Sequence, residues 1–153
     1  MKRLKILCTH DFLASYAPLP TSYGHLSGGE GLRNVVEEIK KRHPAIWVDT
    51  GDFAHVGALS TLSRGQLAFD AANELGINVG TLGNHELDYD LQAFRAGATR
   101  LRHDLLCGNL SAAGLPGTIL IDTVAGPIGF IGLTHPNLGN IHSGSAFKLP
   151  IPD

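Results

Sequence analysis

The chain has 153 residues, 43% of them hydrophobic and 17% charged, with a formal net charge of −2. That length carries one domain with a sizeable core, and the composition excludes a disordered chain. No basic stripe marks a nucleic-acid partner, and no apolar run is long enough to span a membrane.

The first element, Leu4 to Cys8, reads as a short buried strand leading to Thr9-His10-Asp11. Met1-Lys2-Arg3-Leu4-Lys5 has the charge of a signal n-region, but Thr9-His10-Asp11 interrupts the apolar stretch behind it, so the expectation is a soluble, cytoplasmic protein. Cys8 and Cys107 both end apolar runs and read as buried free thiols, not as a disulfide. Residues 12–30 form a long loop rich in Pro, Ser and Gly. Leu32, Val35, Val36 and Ile39 then recur at helical spacing, and Pro44 stops that helix.

Ala45 to Val48 is the second strand, running through Asp49-Thr50 into Gly51-Asp52. Leu67, Ala68, Ala71, Ala72 and Leu75 mark a second helix, closed by Gly76. Ile77 to Leu82 is the third strand, and Gly83-Asn84-His85-Glu86-Leu87-Asp88 follows it directly. Leu91, Phe94, Ala98 and Leu101 mark a third helix, and Asp104 to Cys107 a fourth strand. Thr118 to Val124 and Ile128 to Leu133 pair as a hairpin around Ala125-Gly126-Pro127. Residues 135–153 show no period. Alternating strand and helix predict an α/β fold with a mostly parallel sheet and a C-terminal hairpin.

Parallel strands end on one edge of their sheet, so Asp11, Asp52, Asn84 and His85 can converge although they are far apart in sequence. Carboxylate and amide oxygens with a nitrogen or two suit Mn, Mg, Fe or Zn. Asp52, on the central strand, is placed to bridge two ions, which clamp a phosphoryl group and acidify a water. His85 and Asp88 are three apart, so one helical turn puts them on the same face. Asp88 would then orient the His85 ring and favour its protonated form, which suits a general acid. His25, His43, His55 and His103 read as surface residues.

The ordered set Asp11, Gly51-Asp52 and Gly83-Asn84-His85-Glu86 resembles the calcineurin-like metallophosphoesterases. Asn84-His85-Glu86-Leu87-Asp88, Gly28-Gly29 and Ile131-Gly132-Leu133-Thr134 are similar to the 5′-nucleotidase branch. The resemblance spans about Leu4 to Thr134 and implies residues 1–134 as the N-terminal half of a four-layer αββα sandwich, with 135–153 as a tail. It implies a dinuclear site with Asp52 as bridge, Asp11 on the first metal, Asn84 on the second, and His85 with Asp88 as the acid dyad. It implies hydrolysis of a phosphoester or nucleotide, incomplete or weak in this chain by itself given the two departures below. Two departures stand beside it. Leu13 occupies the place of the family's metal-binding His; His10, next to Asp11, would point to the opposite face of an extended chain and could replace it only where the backbone is kinked. The family's later Gly-His-x-His ligands have no counterpart; His135 and His142 lie in a different context. The alternative function is a non-catalytic metal- or phosphate-binding module, or a subunit that needs a partner chain. Half a sandwich leaves an apolar face open, which predicts a homo-oligomer.

Overall fold

The computed structural model describes residues 3–22, 24–55 and 58–136. Four parallel strands form the central sheet. They are β1 (Lys5–Thr9), β4 (Ala45–Asp49), β5 (Val79–Thr81) and β6 (Asp104–Leu106), in that order across the sheet. Between β1 and β4 in sequence, β2 (Leu19–Thr21) and β3 (Gly24–Leu26) make a separate small ribbon. Helices α1 (Gly28–Arg42), α2 (Ala58–Ser63), α3 (Gln66–Leu75) and α4 (Leu91–Ala98) connect the strands of the central sheet. An antiparallel hairpin, β7 (Thr118–Thr123) with β8 (Gly126–Ile131), closes the described chain. The expected α/β fold, parallel sheet and hairpin are all present.

α1 forms where its charge pattern suits the helix dipole, with Glu30 in the first turn and Lys40, Lys41 and Arg42 in the last. Its stripe is narrower than the spacing predicts: Val36 is buried and Leu32 packs beside it, but Val35 is 58% exposed. α3 ends at Gly76 in the left-handed conformation, as expected (φ 82°). The core has two parts. Val36, Trp47, Leu75 and Ile77 fill the space between α1, α3 and the sheet. Phe53, Phe69, Leu82, Leu87, Phe94 and Leu105 fill the space around α3 and α4. Phe69 is the centre of the second part: its ring meets Phe53 edge-on at 5.3 Å and Phe94 at 6.3 Å.

Four expectations are corrected. Residues 12–30 are not all loop, because β2 and β3 pair in antiparallel register there. The third strand is shorter than Ile77–Leu82. Asn78 leaves the ladder to clamp β4, its N–H donating to the Trp47 carbonyl and its Oδ1 accepting from the Trp47 N–H at 2.8 Å. The hairpin turns at Val124-Ala125, one position earlier than expected, with Gly126 (φ 111°) opening β8. Cys8 is exposed, because it lies on a strand with Ile6 whose side chain is also open to solvent; Cys107 is buried. His142 and the tail beyond residue 136 lie outside the described residues. No helix among the described residues is long and apolar enough to cross a membrane.

Candidate active site at the carboxyl edge of the sheet

β1, β4 and β5 run parallel, and the segments leaving the carboxyl ends of β1 and β4 are joined by backbone hydrogen bonds. Asp11 N–H donates to the Gly51 carbonyl (3.1 Å), Leu13 N–H to Asp52 (2.9 Å) and Ala14 N–H to Phe53 (3.0 Å). The chain bends sharply here: Asp11 (φ 50°), Leu13 (φ 50°), Ala14 (φ 55°) and Asp52 (φ 60°) all sit in the left-handed region. Non-glycine residues occupy that region at a cost, and such clusters gather at functional sites. The bend overturns the expectation for His10. With Asp11 left-handed, the two neighbouring side chains meet, His10 Nδ1 lying 2.9 Å from Asp11 Oδ2. The Leu13 side chain is half-buried and supplies no donor atom.

The second and third loops approach so closely that glycine is required at both. A Cβ on Gly51 would sit 2.5 Å from the Gly83 nitrogen, and a Cβ on Gly83 would overlap the Asp52 carboxylate. Asp52 Oδ1 accepts the His85 N–H at 2.9 Å, fixing the carboxylate against the start of the one-turn 3₁₀ helix His85–Leu87. Asn84 opens that turn, its carbonyl accepting the Leu87 N–H.

Glu86, which sequence reasoning gave no role, holds the two loops together. It is 3% exposed, and its carboxylate accepts from Gly83 N–H (2.8 Å), Ala54 N–H (2.9 Å) and Asp52 N–H (3.1 Å). Burial pushes its carboxyl up to about 8; the nearby Asp52 charge adds to this and the three N–H donors oppose it. A second buried acid, Asp49, ends β4. It accepts from Thr9 Oγ1 (2.6 Å) and Gly51 N–H (3.0 Å), and Thr9 in turn accepts from Trp47 Nε1 (2.9 Å). Desolvation raises the Asp49 carboxyl, against those hydrogen bonds. The signal for both acids was the same: a carboxylate inside an apolar stretch or just behind a glycine turn needs hydrogen-bond donors to be buried at all.

His85 and Asp88 meet as their spacing predicts. His85 Nδ1 lies 3.0 Å from Asp88 Oδ2 and 3.1 Å from Oδ1, and the Asp88 side chain is only 7% exposed. His55 is not the surface residue that was expected. Its Nδ1 is 3.4 Å from the same Asp88 Oδ2, and its ring centroid is 4.2 Å from that of His85. His55 follows Phe53-Ala54, which are buried, and those two anchor it over the site. His103 is likewise half-buried rather than on the surface.

The oxygen donors of Asp11, Asp52 and Asn84, with the nitrogen of His10 beside Asp11, are chemically suited to a hard divalent ion. Among the described residues, however, the one group of three His, Cys, Asp or Glu side chains with donors within 4.8 Å of one another is His55, His85 and Asp88. Asp11 and Asp52 are therefore brought to one edge and stitched through their backbones without closing a three-residue group of that kind.

Solved structures decide the fold. The chain superposes on a 5′-nucleotidase precursor from Thermus thermophilus with a TM-score of 0.78, at 20% identity over 89% of this chain and 29% of that one. The fold is that of the 5′-nucleotidases and calcineurin-like phosphoesterases. Haemophilus influenzae NAD nucleotidase aligns with a TM-score of 0.77, at 21% identity over 88% of this chain and 26% of that one. The Bacillus subtilis calcineurin-like phosphoesterase YfkN gives 0.69, at 18% identity over 90% and 50%. The chain thus spans between about a quarter and a half of these structures, and the match falls on their N-terminal part. No protein-family model matches the sequence, and no curated relative does.

Proposed function

We propose that this chain carries the N-terminal part of a metal-dependent phosphoester hydrolase site of the 5′-nucleotidase kind, acting on a phosphoester or nucleotide. The observation that carries the reading is the convergence of three strand-end loops, with Asp52 pinned by the His85 N–H and His85 pinned by Asp88. Asp11, Asp52 and Asn84 would hold the divalent metal. When bound, such an ion polarises a phosphoryl oxygen and lowers the pKa of a water.

The chain's own residues do the rest. Asp88 accepts a hydrogen bond from His85 Nδ1, which directs the ring so that Nε2 faces the reacting group. His85 then gives its Nε2 proton to the oxygen that leaves phosphorus, a step worth about 10²–10⁴ in rate. Glu86 keeps the Asp52 and Asn84 loops in register by holding three N–H groups in place.

The test is hydrolysis of an aryl phosphate in added Mn²⁺, compared between the chain and its Asp52→Asn and His85→Gln forms. Asp52→Asn should abolish metal-dependent turnover, and His85→Gln should lower kcat by about 10²-fold or more. Both variants should keep the parent's circular dichroism spectrum. Turnover that survives Asp52→Asn would overturn the reading.

A further inference from the structure

Orienting one general acid takes one carboxylate and one histidine. The fold supplies a second histidine to the same carboxylate. His55 arrives from the loop after β4, while His85 and Asp88 come from the 3₁₀ turn after β5, so two separate segments deliver the three groups. Both Nδ1 atoms face the same oxygen, Asp88 Oδ2, at 3.4 Å from His55 and 3.0 Å from His85. The two rings are tilted by 59°, not stacked in parallel.

We propose that His55, His85 and Asp88 form a binding site for one borderline-soft divalent ion of the zinc type, distinct from the oxygen donors of Asp11, Asp52 and Asn84. Zinc bonds of about 2.0–2.2 Å at tetrahedral angles set neighbouring donors about 3.3–3.6 Å apart. The His55 separation at Asp88 Oδ2, 3.4 Å, falls in that range, and the His85 separation, 3.0 Å, is a few tenths of an ångström short of it. Two imidazoles and one carboxylate are a zinc donor set with one position left open to water or an anion. A neutral ring can carry its proton on Nε2 and offer Nδ1 to an ion, so the ion takes the place of the Nδ1 proton that His85 otherwise shares with Asp88. The ligand side chains are 35%, 27% and 7% exposed, so the ion has a route in from solvent while Asp88 stays shielded. On the hydrolase reading, and resting on it, an ion here occupies the ring that would hand a proton to the leaving oxygen, so excess Zn²⁺ slows turnover.

The binding claim is tested apart from any turnover. With the oxygen donors of Asp11, Asp52 and Asn84 first supplied with excess Mg²⁺, Co²⁺ titrated into the full chain should give the intense visible absorption of a four-coordinate ion, saturating at one Co²⁺ per chain, and Zn²⁺ should displace it. Outer-shell partners of a metal site already cost 10–100-fold in affinity when removed. His55→Gln should therefore weaken Co²⁺ binding at least about tenfold, and His55→Cys should restore it, since a thiolate also ligates these ions. Asp11→Asn should leave the band unchanged. Wild-type protein should also melt at higher temperature in Zn²⁺, a readout that needs no variant. Absence of the band in the wild type, unchanged affinity in His55→Gln, or loss of the band in Asp11→Asn would each overturn the proposal.

Discussion

Glu86 shows what a single buried carboxylate can organise. Its Oε2 accepts two N–H groups, from Gly83 and Asp52, and its Oε1 accepts a third from Ala54. Above about pH 8, where the carboxyl is ionised, Glu86→Gln keeps the volume but turns one of those accepting oxygens into an NH₂ group, so at least one buried N–H faces another donor. Leaving a buried donor unsatisfied costs about 1–3 kcal/mol. For a chain of this size each kcal/mol lowers the melting midpoint by about 2–4 °C. A thermal melt of Glu86→Gln followed by circular dichroism should show that drop; a midpoint equal to the parent's would mean the three contacts carry no weight. The neighbouring roles were legible to different degrees. His85 and Asp88 could be paired from their spacing because one helical turn fixes which side chains meet. His55 could not, because a loop residue has no period to read, and only the burial of Phe53 and Ala54 places it over Asp88. His10 was misjudged for a similar reason: extended geometry was assumed where Asp11 is left-handed.

At the scale of elements, long apolar periods were read well and short interrupted ones were not. α3 and α4 fall where their apolar spacing puts them, with Ala68, Ala72, Leu75 and Phe94 buried, although Leu67 is 47% exposed and Leu101 lies past the end of α4. β2 was missed because Pro20 sits in its middle, a residue confined to edge strands that cannot donate to a ladder. β6 begins at Asp104 as its apolar run implies, but His103 just before it is half-buried rather than a surface residue. Its Nε2 is buried, has no hydrogen-bond partner among the described residues and lies against Gly80 of β5. Desolvation lowers its pKa to about 4 against the weaker pull of Asp104. The folded chain thus keeps the ring neutral where the unfolded chain, near pH 6.5, protonates it. Above about pH 6.5 both states are neutral and the group contributes nothing to pH dependence. As pH falls from about 6.5 towards 4 the unfolded state gains protons first, and stability declines by on the order of 1–3 kcal/mol after solvent screening of a half-buried ring. His103→Leu removes that term. Its acid-unfolding midpoint, followed by tryptophan fluorescence, should move to lower pH while stability relative to the parent stays level between about pH 7 and 8. A midpoint that does not move would place the acid sensitivity elsewhere.

For the molecule as a whole, the alternation of strand and helix made the sheet's connectivity plain but not how much of the sheet is covered. The helices bury Trp47 and Leu105, yet Ile6 on β1 is 52% exposed, and on the hairpin Leu120 and Ile131 are 69% and 74% exposed. Leu133, just past the hairpin, is 62% exposed. A cleft of about 130 Å³ lined by Val48, Val79, Leu106 and Phe130 separates the hairpin from the sheet. A two-stranded hairpin is marginal by itself in water and is kept by what it packs against. Here its ends are tied down by backbone bonds from Gly108 N–H to Gly132 (2.8 Å), Gly132 N–H to Gly117 (3.0 Å) and Cys107 N–H to Pro116 (2.8 Å), and by Asn109, which bonds Thr134 in both directions. Exposed apolar side chains on this scale favour association with another surface, and in a solution of this chain alone the surface at hand is a second copy. Light scattering behind a sizing column should therefore report a mass above the 16.2 kDa of one chain, rising with concentration. Replacing Leu120 and Ile131 together by lysine should return it to the monomer mass without changing the circular dichroism spectrum. A stable, well-folded monomer at every concentration would count against self-association and would mean that these strands tolerate water as they stand.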